Sequence, residues 1–262
     1  MVKSKGVTFL LGDDDAENVN HLSREFASGF EALGFSSRCV LASAITSLET
    51  LKTEIRTNNT ALFISLSGIG MDMRSRNNAF HELDVPLFLM LLDHPLHYWD
   101  KVDVAVGLNA VSSISHADKQ FIDEYSTNDR RVFQLAHAAS PKSVQPWAKK
   151  DIGLFYCGTL RGSPITQRQS WLKYGDHVNK RLNAILEEHT ANGSVSLINS
   201  IRRVLAEEID CSQAMMLHPY YVTLDVYLRD YHRVETLKSI DSVPLFLAGA
   251  GWEAVLGEFK GT

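Results

Sequence analysis

The stretch LFLMLLDHPLHYWD, residues 87–100, opens with an unbroken apolar run, Leu87 to Leu92, and then packs Asp93, His94, Pro95, His97 and Asp100 together. A run that is apolar on every position has no solvent side. It reads as a strand covered on both faces, the mark of a parallel sheet between layers of helices. The polar cluster then stands at the carboxyl end of that strand, where open α/β sheets hold their ligands.

Working outward, similar runs recur at VTFLL (7–11), RCVLA (38–42), ALFISL (61–66), VDVAVGL (102–108) and RVFQLA (131–136). Between the first two, Leu22, Phe26, Phe30 and Leu33 repeat at helical spacing and Gly34 supplies the stop. The expectation is a β-α-β opening to a Rossmann-like domain over 1–140. Residues 141–150 carry two prolines and no periodicity, as a linker does.

Beyond it, 151–262 begins with a strand, DIGLFYCGTL (151–160), and turns helical. Leu182, Ile185 and Leu186 mark one helix, Leu197, Ile198, Ile201 and Leu205 a second, and Leu224, Leu228, Tyr231 and Val234 a third. VPLFLAGAGWE (243–253) then reads as a strand, a glycine turn and a helix start. Such a unit cannot cover its own apolar faces. One expectation is therefore a helix-rich segment and the opening of a second Rossmann-like domain, incomplete in this chain; the other adds the last strand to the edge of the first sheet.

Composition narrows the function classes. The 262 residues are 45% hydrophobic and 22% charged, as in globular proteins. A net charge of −5, with Lys and Arg scattered, argues against nucleic acid as partner. Cys39, Cys157 and Cys211 lie far apart without metal-ligand spacing, so they read as small buried hydrophobes in a reducing compartment. The first apolar run is too short for a signal peptide, and none approaches the roughly 20 residues of a membrane span. A cytoplasmic protein with no integral membrane segment is expected.

Three polar or glycine-bearing loops follow strands one, three and four. Asp13, Asp14 and Asp15 would repel a pyrophosphate, which argues against a dinucleotide there. They suit a helix cap first, then contact with a substrate, and a divalent metal as a further option. Gly68 and Gly70 supply a turn, and His94 has the ordinary pKa of an acid or base near neutrality. His94 and His97 do not form the HExxH of zinc peptidases, and no G-x-S-x-G nucleophile elbow is present. A receiver domain also opens with acidic residues after strand one, but Ser65 and Ser67 stand where its phospho-accepting aspartate belongs. A non-catalytic, receiver-like binding module with a helical partner-binding region is the alternative reading.

ISLSGIGMDM (64–73), DVPLFLMLLDHPLHYWD (84–100), VDVAVGLNAVSSISHADKQFIDEY (102–125), LAHAAS (135–140), LFYCGTL (154–160) and VPLFLAGAGWE (243–253) resemble, in that order, bacterial glycosyltransferase-like proteins of the family related to the spore-maturation protein CgeB. The resemblance implies a GT-B architecture, with two Rossmann-like domains across a cleft. The first would receive a glycan or protein acceptor and the second a nucleotide-sugar, without a bound cofactor or metal. It would place Asp93 and His94 at the floor of the cleft as catalytic residues, with Gly68 and Gly70 beside them; Asp13, Asp14 and His97, from loops at the same sheet edge, are the further candidates for substrate contact. Gly249 and Gly251 would border the donor diphosphate, and Arg233 would either face phosphate or pair within the protein, the commoner role of a lone arginine.

Overall fold

The apolar runs pair side by side, and all in the same direction. In the computed structural model, which describes residues 5–13, 16–71, 85–104, 108–127, 130–136, 153–240 and 243–259, the strands of the first unit are β1 (Gly6–Leu11), β2 (Ser36–Leu41), β3 (Thr60–Leu66), β4 (Leu87–Met90), β5 (Leu108–Ser113) and β6 (Arg131–Gln134). They form one parallel sheet in the order β2-β1-β3-β4-β5-β6. Every residue of β1 is buried, whereas β2 at the edge alternates exposed and half-buried positions. This is an α/β, Rossmann-like sheet flanked by helices.

The helices are α1 (Glu17–Ala32), α2 (Leu48–Asn58), α3 (Trp99–Val104) and α4 (His116–Tyr125). Local chemistry starts two of them. Ser47 with Thr50 caps α2, and Ser115 with Asp118 caps α4, each pair exchanging side-chain and backbone hydrogen bonds. The step from β1 to β2 runs one way across the sheet and every later step runs the other. With right-handed crossovers, α1 therefore lies on one face and α2, α3 and α4 on the opposite face. On the α1 face, Val7, Phe9, Ala27, Ile64 and Leu66 form a core cluster. On the other, Trp99 of α3 meets Phe121 of α4 edge-on at 5.5 Å.

Two sequence expectations change. Val102–Val104 ends helix α3, and β5 starts at Leu108 instead of occupying 102–108. Trp99 and Val102, both buried, lie three residues apart and share a helical face, which outweighs the strand preference of the valines. In α1 the fully buried positions are Asn20, Ser23 and Ala27, while Leu22 and Leu33 are 38% and 76% exposed. Small residues let the helix approach the sheet, and the apolar stripe is turned partly aside.

The chain divides at Ala138, and the second unit covers Ala139–Thr262. It holds β7 (Leu154–Cys157) and β8 (Leu245–Ala248), a parallel pair. Between them run α5 (Pro164–Ser170), α6 (Asp176–Ala191), α7 (Leu197–Leu205) and α8 (Ala214–Lys238). The last strand thus pairs with β7, not with the first sheet. After β8 the chain makes two 3₁₀ turns, Trp252–Ala254 and Leu256–Glu258, in place of the expected helix start. Leu160, Val234, Leu237, Trp252, Val255 and Phe259 form the core beneath the strand pair. Cys157 is exposed and the other two cysteines are half-buried, so none is the buried hydrophobe expected. The linker 141–150 lies outside the described residues.

Helix packing in this unit carries a pH dependence. His189 on α6 sits 3.4 Å from the Ser200 hydroxyl of α7, and burial, with a smaller contribution from the charge of His232, lowers its pKa from the ordinary 6.5. The fold prefers the neutral ring, so the unfolded chain binds more protons once the pH falls below about 6.5. Stability is expected to be full above that value and to decline below it. Thermal midpoints recorded from pH 8 to pH 5 check this, and His189→Gln should flatten the decline.

Candidate functional site

The carboxyl edge of the first sheet is built from the loops after β1, β2, β3 and β4, and each loop is fixed by a different device. After β1, the buried amide of Asn20 on α1 clamps Gly12, accepting from its N–H at 2.8 Å and donating to its carbonyl at 2.9 Å. Asp13 is exposed, and its carboxylate accepts from the Ser43 hydroxyl at 2.9 Å, in the turn Ala42–Ala44 after β2. It does not cap α1: the N-cap is Ala16, with no side-chain hydrogen bond. The aspartate carboxylate thus joins two loops. Asp14 lies outside the described residues.

After β3 the backbone turns left-handed three times, at Ser67 (φ 50°), Gly68 (φ 76°) and Gly70 (φ 76°). For Ser67 this conformation costs roughly 1–2 kcal/mol. It is held by the Ser67 N–H donating to the Met90 carbonyl at 2.8 Å and the Ser65 hydroxyl donating to the Ile69 carbonyl at 2.7 Å. A Cβ on Gly68 would stand 2.3 Å from Cδ of Lys101, and one on Gly70 2.9 Å from Cβ of Ala42. The glycine loop therefore touches both the β2 turn and the Lys101 side chain. Lys101 also lies 5.9 Å from the Tyr98 ring centroid.

After β4, Asp93 is half-buried and precedes the turn Pro95–Tyr98. His94 caps that turn: its Nδ1 accepts from the Leu96 N–H at 3.2 Å. The neutral ring then carries its proton on Nε2, which faces Asp118 of α4 at 3.7 Å. Phe121 packs against the imidazole with centroids 5.0 Å apart. Both ring nitrogens are directed at protein groups, so this geometry orients the DHP loop. His97 is half-buried beside Tyr98, its ring centroid 6.3 Å away. Among the described residues, no group of three or more His, Cys, Asp or Glu is placed to hold a metal ion.

In the second unit the loops after β7 and β8 continue the strand pairing. Gly158 N–H donates to Ala248 O and Leu160 N–H to Ala250 O, both at 2.9 Å. Gly249 (φ 118°) and Gly251 (φ 90°) face the opposite backbone: a Cβ would stand 2.2 Å from Gly158 O and 1.9 Å from Leu160 O respectively. Their glycine character is set by this close approach. Arg233 donates from Nη1 to Thr159 O at 2.9 Å and pairs with Asp230 at 3.1 Å. Asp230, 1% exposed, also accepts from the Arg161 N–H at 2.9 Å and from Gln167 Nε2 at 2.7 Å. The segment 158–161 is thus held by glycines on one side and a carboxylate on the other.

Gly251→Ala is expected to lower the stability of this unit by about 3 kcal/mol, since the methyl meets backbone and the left-handed φ disfavours any side chain. Gly257→Ala, where nothing lies within 4 Å of an added Cβ, is the control and should be neutral or mildly stabilising. Thermal melts of the two variants check the difference.

The structure brings Asp13, Gly68, Gly70, Asp93, His94 and His97 to the loops of one sheet edge, and Gly249, Gly251 and Arg233 to the strand ends of the other unit. Sequence reading missed Asn20, Ser43, Lys101, Asp118 and Asp230. Only Asp118 had a local signal, the S-x-x-D of a capping box. A scan against protein-family models finds no match to this chain, and neither does a search of curated proteins.

Proposed function

We propose that this chain is a glycosyltransferase of GT-B type, moving a sugar from a nucleotide-sugar to a hydroxyl of a cell-envelope or protein acceptor in the cytoplasm. The observation that supports it best is the meeting of four strand-end loops at one parallel-sheet edge, with a half-buried carboxylate, Asp93, directly after the most apolar strand. Asp93 takes the proton of the acceptor hydroxyl as its oxygen attacks the anomeric carbon. His94, anchored to Leu96 and facing Asp118, positions the loop that presents Asp93. As the new C–O bond forms, the bond from the sugar to the diphosphate breaks. The diphosphate leaves with the bonding electrons, and within the second unit Arg233 and the backbone near Gly249 and Gly251 are the groups proposed to bind a donor diphosphate. Asp13 and Lys101 flank the glycine loop and suit the sugar hydroxyls.

Among the described residues no helix is long and apolar enough to cross a membrane. The receiver-like binding module keeps one supporting observation: the order 2-1-3-4-5 within the sheet is that of flavodoxin-like folds. Isothermal titration against UDP-, GDP-, CMP- and dTDP-sugars separates the two. Binding of one nucleotide class, weakened by Arg233→Ala, is expected. Silence toward every class would overturn the transferase and leave the binding module.

A further inference from the structure

We propose that the cleft between α5 and α8 of the second unit binds a short neutral saccharide, of one or two sugar residues. This goes beyond the transferase reading, whose donor diphosphate lies at the ends of β7 and β8, and it does not depend on that reading. The cleft has a volume of about 400 Å³, in the lower part of the range of small-molecule sites.

Helical spacing builds one wall. Tyr227, Tyr231, Val234 and Lys238 of α8 recur at i, i+4, i+7 and i+11 and so share one face of the helix. Pro164, Ile165, Arg168 and Gln169 of α5 form the other wall. Two contacts fix α5 on α8. Gln167 donates to Asp230 at 2.7 Å, and Trp171, just past the end of α5, meets Tyr227 edge-on at 5.2 Å. The cleft is therefore preformed, and its two walls belong to one packed core.

The lining selects the occupant. The rings of Tyr227 and Tyr231 lie within 14° of parallel with centroids 5.8 Å apart, and Tyr231 keeps 39% of its surface exposed. The charged groups are already engaged. Glu235 pairs with Lys238 at 3.0 Å, and Arg168 donates to Asn183 Oδ1 at 2.8 Å and to the Tyr227 hydroxyl. The lining groups without a hydrogen-bond partner among the described residues are neutral: the Ser163 hydroxyl, the Gln169 amide and the Tyr231 hydroxyl. Each of these both donates and accepts. A sugar offers the matching surface. Its hydroxyls donate and accept as the water they displace does, and the C–H face of its ring lies on an aromatic plane. A hydrocarbon would leave those three groups dry, and a polyanion would meet a single cation not paired with a carboxylate, Arg168.

The test is ligand-observed NMR titration of the full chain with methyl β-glucoside, cellobiose and maltose. Saturation should pass from the protein to the C–H protons of one sugar face, and affinity should be equal in low and high salt, because a neutral ligand has no charge to screen. Tyr231→Ala should weaken binding about tenfold. Gln169→Ala, at an exposed position of α5, should weaken it about two- to tenfold and decides the matter if the first variant misfolds in a thermal melt. Failure of all three sugars to bind, or binding unchanged in both variants, overturns the proposal. So does benzoate binding more tightly than the sugars and weakening with salt, since Arg168 would then select an anion. Displacement of cellobiose by a nucleotide-sugar also overturns it, because the cleft would be part of the donor site. Sugar binding with silence toward every nucleotide-sugar keeps this site and sinks the transferase; the reverse result keeps the transferase and sinks this site.

Discussion

Asp230→Ala is expected to destabilise the second unit by about 3–5 kcal/mol, the cost of breaking a buried ionic group from one side. The carboxylate is the only acceptor shared by the Arg161 N–H, the Gln167 amide and Arg233, and it joins α5, α8 and the loop after β7. Removing it takes the acceptor from the Arg161 N–H, leaves Gln167 and Arg233 only their carbonyl partners, Gly162 and Thr159, and frees the segment that Gly249 and Gly251 pack against. Asp230→Asn keeps an oxygen for the Arg161 N–H and should lose only part of that stability. Urea unfolding of the three proteins, compared at equal m-value, measures the difference. Equal loss in both variants would mean that the charge itself, paired with Arg233, carries the effect.

The second large effect is on turnover. Asp93→Asn removes the group that takes the acceptor proton while keeping its shape, and should lower transfer by about 10²- to 10⁴-fold, with the melting temperature recorded alongside. His94→Asn is the informative partner. An asparagine oxygen can accept the Leu96 N–H as Nδ1 does, so this variant should hold the loop and keep most activity. His94→Ala loses that acceptor and about 1 kcal/mol with it. If His94→Asn is as inactive as Asp93→Asn, the imidazole takes part in proton transfer and the two residues exchange roles.

What could be read from sequence follows from how local each signal is. The strands β1, β3 and β4 announce themselves because nearly every position is apolar, with only Thr8, Thr60 and Ser65 as polar exceptions, and α6, α7 and α8 because their apolar residues keep helical spacing. The strand expected at 102–108 failed because Val102 and Val104 suit either structure, and only packing of Trp99 on Phe121 decides for a helix. The glycine turn and the DHP loop were legible, since left-handed turns and prolines are marked by residue type. The clamp of Asn20 on Gly12, the bond from Ser43 to Asp13 and the hold of Asp230 on Arg161 were not. Each joins positions that only the folded chain brings together, and in α1 it is the polar Asn20, not the apolar stripe, that faces inward.

The pairing of β7 with β8 also dictates an order of assembly. Leu154 finds its partner, Leu245, only after the whole helical insert has been made. Closing so long a loop is slow, whereas helices form from neighbours in microseconds. During synthesis β7 therefore waits with its hydrogen-bonding edge and the side chain of Tyr156, which later packs on Trp252, bare, while α5 to α8 gather behind it. That interval is when the nascent chain is most exposed to aggregation, and a helper that shields a strand edge would act there.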